Sequence, residues 1–215
     1  MPPNAPLHIT SALVGRPNVY NILAAVAAAV ALDVPLPQIE AGVAALEGVP
    51  GRFQVVSSAR DEITVVVDYA HTDDALRNLL ETARPLAQGR LITVFGCGGD
   101  RDRTKRPLMG AVAGRLSDLI VITSDNPRGE DPLRIIEEVR RGITVDTRKD
   151  DAQRLLAIVD RREAIVRAIE TARPGDLVLL AGKGHEKYQI LGTDKHHFDD
   201  VEEAQRALQR RAAAA

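Results

Sequence analysis

The sequence predicts an α/β fold: a doubly wound, mostly parallel sheet preceded by an all-helical segment. Three observations carry this. From Arg52 onward, short apolar runs alternate with amphipathic stretches, the pattern of strand–helix–strand units. The runs "ITVVVD", "LITVF", "LIVIT" and "LVLLA" are apolar at successive positions, as in strands covered on both faces. Residues 1–50 instead carry helical spacing with no strand-like run.

In chain order, Val19, Ile22, Leu23, Val26 and Val30 fall on one face of a first helix. A second, short helix follows "VPLPQ", with Ile39, Val43 and Leu46 as its apolar positions. "EGVPGR" (Glu47–Arg52) breaks the pattern with two glycines and a proline. A domain boundary is expected there, dividing 1–50 from 51–215. Strands are expected at Phe53–Ser57, Ile63–Asp68, Leu91–Phe95, Leu119–Thr123 and Leu177–Ala181. Helices are expected at Thr72–Arg84, Pro107–Arg115, Pro132–Arg141, Arg161–Ala172 and Val201–Arg211. Thr72 and Asp131 read as helix caps, the latter followed by Pro132 at the first helical position. "ITVDTRKDD" (Ile143–Asp151) reads as a polar excursion or a short extra strand.

Composition narrows the function. A net charge of -2 gives no basic field for nucleic acid, and 3% aromatics without Trp give no stacking platform for single strands. One cysteine, Cys97, allows no internal disulfide and suits a reducing compartment. "MPPNAPLHIT" lacks a basic region and an apolar core, so no secretory leader is expected. "ILAAVAAAVAL" is too short and alanine-rich to span a bilayer. A cytoplasmic protein with no nucleic-acid or membrane partner is expected.

Ligands of open α/β sheets bind beyond the carboxyl ends of the strands, and the uncommon sequence lies there. Four strands end in "DYAHTDD", "GCGGDRDRTKRP", "SDNPRGEDP" and "GKGHE". Their opposite ends carry ordinary turns, "ARPG" and "LAQG". Arg101, Arg103, Lys105, Arg106, Arg128 and Lys183 are expected to gather on this rim and focus positive potential on an anionic ligand. Asp68 and Glu186 interrupt them, so a cationic group is expected too. Capping and turning account for Thr72, Asp131 and the glycines, but not for Asn126 and Arg128. "GCGGDR" is not G-x-G-x-x-G, "GDLVLLAGKG" is not a phosphate-binding Walker loop, and no Cys/His spacing suggests zinc. His196-His197 reads as a surface pair. No metal ligand and no catalytic side chain is singled out.

"RPNVYNILAA", "GVPGRFQVV", "VVDYAHT", "GCGGDRD…KRP", "SDNPRGEDP" and "AGKGHEKYQ", in this order, strongly resemble the Mur ligases, and among them the branch that adds meso-diaminopimelate. One departure is Asp73, where that branch usually has Pro. The resemblance implies a Rossmann-like C-terminal domain at 51–215, after a helical remnant of an ATP-binding central domain at 1–50. It implies ligation in peptidoglycan-precursor synthesis. A D-Glu carboxylate of UDP-MurNAc-dipeptide is activated as an acyl phosphate with ATP and Mg²⁺, and the meso-diaminopimelate amine attacks it. It implies Arg101, Asn126, Arg128, Gly182 and Glu186 around meso-diaminopimelate, and Asn18, Asn21, Arg52, Asp68 and His71 around ATP. The phosphate loop, the metal ligands and the UDP-binding part are expected in missing central and N-terminal domains. The chain alone is then a C-terminal fragment expected to be inactive. The readings kept beside it are a fragment of a lysine-adding or folylpolyglutamate-type ligase, and a stand-alone binding or interaction module.

Overall fold

The computed structural model describes residues 6–144 and 154–214. Two helices open it, α1 (Arg16–Ala31) and α2 (Leu36–Ala44). Ile22 and Val26 of α1 face Ile39 and Val43 of α2 across an apolar groove. Val19, Leu23 and Val30, assigned from the spacing to the same apolar face, are instead about half exposed.

The sheet has six strands: β1 (Gln54–Val55), β2 (Thr64–Asp68), β3 (Leu91–Phe95), β4 (Leu119–Ile122), β5 (Leu155–Ala157) and β6 (Leu177–Ala181). Their spatial order is β1-β2-β6-β3-β4-β5. All neighbours are parallel except β1, which pairs antiparallel with β2. The strand expected at Phe53–Ser57 therefore shrinks to a two-residue edge. Val56 N still bonds Val65 O, but Ser57 caps the pairing through its side chain, its Oγ accepting from Val65 N. Strand β5 was not expected: it is a three-residue edge too short to show a period. The polar stretch at 143–151 lies mostly outside the described residues.

Alternation along each central strand separates two cores. Val66, Leu91, Phe95, Ile120, Ile122 and Leu179 meet α3 (Asp73–Ala83), α4 (Lys105–Leu116) and α5 (Pro132–Arg140) on one face. Val65, Val67, Ile92, Val94, Val121 and Val178 meet α6 (Arg161–Thr171) and α7 (Asp200–Ala214) on the other. Both faces are covered, hence the unbroken apolar runs. Thr72 Oγ1 accepts from Ala75 N at 3.2 Å, and the Asp131 carboxylate from Leu133 N at 2.9 Å, as capping predicts.

This winding creates the site. The chain leaves β2 and β3 for helices on the first face and leaves β6 toward α7 on the second. Because β6 lies between β2 and β3, crevices open on both sides of its carboxyl end. Between β6 and α7 stands a separate antiparallel hairpin, β7 (Tyr188–Leu191) and β8 (Asp194–His197). Its exposed, polar "DKHH" arm gave no apolar signal.

Candidate functional site

On the β2 side of β6 a cavity of about 480 Å³ gathers Asn18, Asn21, Arg52, Asp68 and His71, joined by Tyr69, Asn78 and Thr82. Asn18 is buried and its Nδ2 donates to Val14 O at 2.8 Å, tying the incoming chain to α1. Asn21 Nδ2 donates to Asn18 Oδ1 at 3.4 Å, as a spacing of three on a helix allows. Asp68 ends β2. Its Oδ2 accepts from Phe53 N at 2.7 Å and its Oδ1 from Ala70 N at 2.9 Å. Burial pushes this carboxyl above its ordinary value, opposed by those two bonds and by nearby Arg52. Each oxygen keeps lone pairs for a hydroxyl donor. The Arg52 guanidinium stacks 4.7 Å from the Tyr69 ring centre. Tyr69 also touches His71, at 4.6 Å between ring centres, and His185, at 5.3 Å.

On the β3 side the second predicted set converges. Asn126 Nδ2 donates to Glu186 Oε2 at 3.3 Å. Arg128 Nη1 donates to Gly99 O at 2.8 Å and, more weakly, to Asn126 O at 3.4 Å. A methyl group on Gly98 would lie 3.0 Å from Arg128 Nη1 and 3.7 Å from Arg101 Cγ, so both arginines flank that glycine. Arg101 is exposed, with Nη1 on Asp100 O at 3.0 Å. Neither arginine has a carboxylate partner among the described residues. Gly182 is buried at the end of β6, facing the Gly96 carbonyl. Cations and a carboxylate thus stand side by side on one rim. Such a site fits a small molecule that is itself an amino acid at the end it presents.

The expected six-cation cluster is not there. Arg106 is fully buried beneath the loop. It bonds both oxygens of Glu130, at 2.9 and 3.0 Å, and Glu138 at 2.7 Å. Arg103 is tied to Glu130 at 2.6 Å. Lys183 is buried against Asp125 at 3.0 Å. Burial lowers the Lys183 ammonium, with Asp125 holding it up. A count of basic letters cannot show that three of the six are neutralised by partners tens of residues away. Lys105 spans the two sets, its Nζ donating to His71 O at 2.9 Å. Cys97 is buried, and burial pushes its thiol up to about 12, which excludes a thiolate nucleophile at neutral pH. Among the described residues no three His, Cys, Asp or Glu side chains cluster as a metal site, and no helix is long and apolar enough to cross a membrane.

Lys183, expected on the rim as a ligand-seeking cation, instead holds the loop of Asn126 and Arg128, together with Gln189 and Ile190, which the sequence did not single out. Gln189 Nε2 donates to Asp125 O at 2.7 Å, and Arg128 N donates to Ile190 O at 3.2 Å. The only signal for Gln189 and Ile190 was proximity to "GKGHE".

Comparison with known proteins identifies the family of this fold. A model of the Mur ligase family described as "Mur ligase, glutamate ligase domain" matches residues 51–184. The UDP-N-acetylmuramoyl-L-alanyl-D-glutamate–2,6-diaminopimelate ligase of Gloeobacter violaceus is 56% identical over 202 residues, 94% of this chain and 40% of that protein. The enzyme of the same name from Geobacter metallireducens is 55% identical over 213 residues, 94% of this chain and 41% of that one. A solved structure of a ligase of this name superposes with a TM-score of 0.72 at 44% identity, covering 95% of this chain and 40% of that one. The chain thus spans about 40% of the length of these relatives.

Proposed function

Since the chain belongs to the Mur ligase family, we propose that it is the amino-acid-selecting portion of a cytoplasmic, ATP-dependent ligase that adds meso-diaminopimelate to UDP-MurNAc-L-Ala-D-Glu in peptidoglycan-precursor synthesis. The observation that carries this reading is the Asn126–Glu186 bond beside Arg128. The distal end of meso-diaminopimelate bears one carboxylate and one ammonium. Arg128, with Arg101 beside it, faces the carboxylate, and the Glu186 carboxylate takes the ammonium. A lysine substrate has no distal carboxylate and would leave Arg128 without its counter-ion, a costly loss in a partly buried site.

The cavity on the β2 side fits the base and ribose of a nucleotide. Asp68 holds both oxygens fixed by backbone N–H groups with lone pairs facing the cavity, and Asn18 and Asn21 offer amides. Arg52 is placed to meet phosphate. ATP supplies the activation of the D-Glu carboxylate as an acyl phosphate. This chain's residues hold the incoming amino acid so that its free amine faces that carbon, and most of the rate gain available to them is positioning. The sequence has no Walker loop, and we place the phosphate loop and the Mg²⁺ ligands in the central domain and the UDP end in the N-terminal domain of the same enzyme. Residues 1–50 are proposed as the tail of that central domain.

The test is kinetic, in an enzyme completed with those domains. Losing a charge-assisted pair of about 2 kcal/mol corresponds to roughly 30-fold. Arg128→Ala is therefore expected to raise the meso-diaminopimelate KM about 30-fold and leave the ATP KM unchanged. An unchanged meso-diaminopimelate KM would overturn the assignment.

A further inference from the structure

Lys183 is fully buried, yet its ammonium donates to Asn126 Oδ1 at 3.1 Å and to Tyr188 O at 2.8 Å, and pairs ionically with Asp125 Oδ1 at 3.0 Å. Asn126 Oδ1 receives a second donor, Ile190 N, at 3.0 Å. Both groups at that end of the amide are donors only, since an ammonium and a backbone N–H have nothing to accept with. A turned amide would set its NH₂ against a cation and an N–H. The carbonyl end is therefore locked toward Lys183, and the NH₂ end is left for Glu186 Oε2 at 3.3 Å.

The geometry points to Lys183 as a positioning residue: its buried ammonium fixes the orientation of the Asn126 amide, and through it holds the Glu186 carboxylate ready for the ligand's cation. This rests on the proposed amino-acid site, since only there does the direction of Glu186 matter. Asp125 offsets the charge of the ammonium, and the hairpin edge supplies the second donor. The amide then behaves as a fixed donor rather than a side chain that adapts to whichever ligand arrives. Preorganisation of this kind lowers the ordering cost of binding.

The test uses this chain with isotope-labelled side chains and NMR. In the unmodified protein, the Asn126 Nδ2 proton signals should shift with pH at the same midpoint as the Glu186 carboxyl carbon. Glu186→Gln should abolish that dependence. Replacing the buried pair together (Asp125→Asn with Lys183→Met) avoids leaving one charge alone in the interior. In that variant the amide signals should stop following Glu186 while the carboxyl still titrates and the β2–β6 backbone signals stay in place. Amide signals that still follow Glu186 in the double variant would overturn the proposal. If the double variant does not fold, proximity in the unmodified chain decides. Nuclear Overhauser contacts from the Asn126 NH₂ should be stronger to the Glu186 γ-protons than to the Lys183 ε-protons, and the reverse order would overturn it. Meso-diaminopimelate is the probe for the site itself: the double variant should bind it at least tenfold more weakly than the unmodified chain. Amide coupling that is lost as expected, with no binding to the unmodified chain, would contradict the ligand reading alone and leave the positioning role supported.

Discussion

Glu130 shows how far a single letter is from its role. In "DNPRGEDP" it reads as one more acidic residue in a polar loop. In the structure it accepts from Arg106 through both oxygens and also takes Arg103 and the Asp100 N–H, at 2.6 Å each. The Arg106 guanidinium first, then these other bonds, hold its carboxyl down to about 2, from an ordinary 4.5. A depressed carboxyl favours the folded state while it is ionised. Its contribution is complete above about pH 4.5 and is lost as pH falls toward 2. The thermal midpoint of the unmodified chain should therefore decline across that window. Glu130→Gln should unfold at lower temperature at pH 7 and show a shallower decline between pH 4.5 and 2; parallel curves would contradict the assignment of this ion pair. The same residue explains a sequence misreading: Arg103 and Arg106 looked like ligand-seeking cations because their shared partner lies on another loop. Arg128 and Asn126 stood out for the opposite reason: neither capping nor turning needed them. In the structure Asn126 is buried against Lys183 and Glu186, and the Arg128 guanidinium donates to two carbonyl oxygens.

At the scale of elements, the hairpin β7–β8 positions the loop that the sequence singled out. Arg128 sits at a φ of 52°, a left-handed conformation that costs a non-glycine residue about 1 kcal/mol or more. It is held there by backbone bonds on both sides: Arg128 N donates to Ile190 O at 3.2 Å, and Gly192 N donates to Arg128 O at 2.9 Å. Ile190→Pro removes the N–H that Asn126 Oδ1 accepts, and the fixed φ of proline disturbs the strand edge. It should weaken meso-diaminopimelate binding about tenfold while leaving nucleotide binding unchanged. Equal loss of both would mean that the hairpin is only a structural support for the sheet. The central strands and the helices were readable because burial on two faces writes itself as apolar runs and helical spacing. The hairpin was not, because its strands are half-exposed or polar and its partner is a loop.

Across the whole molecule, the β2-side cavity and the rim of Arg128 and Glu186 flank one strand end and meet at one backbone contact. Gly51 precedes Arg52, and Gly184 precedes His185. A methyl group on Gly51 would lie 2.2 Å from His185 N and 2.4 Å from Gly184 C, at a φ of 68°. The chain entering the sheet is thus pressed against the loop that carries Glu186, and Tyr69 spans the same gap between Arg52 and His185. Gly51→Ala combines a left-handed φ with overpacking against backbone and should cost about 2–4 kcal/mol. That corresponds to roughly 5–15 °C in thermal midpoint for a chain of this size. Ligand binding at the cavity and at the rim should suffer with it. A neutral substitution would mean that the contact yields freely. Strand-end reasoning pointed to Asp68, Asn126, Arg128 and Glu186, whereas Asn18, Asn21, Arg52 and His71 joined Asp68 only through the family resemblance. Neither showed that the groups touch, because a glycine–glycine contact 133 positions apart leaves no pattern in either segment.

On the proposed reading, one rim of this chain recognises both charges at the distal end of an amino acid. Calorimetric titration with meso-diaminopimelate, against L-lysine at the same pH and salt, tests it most directly. Meso-diaminopimelate should bind at least tenfold tighter than lysine, with the difference abolished by Arg128→Ala. Lysine binding equal to that of meso-diaminopimelate would contradict it.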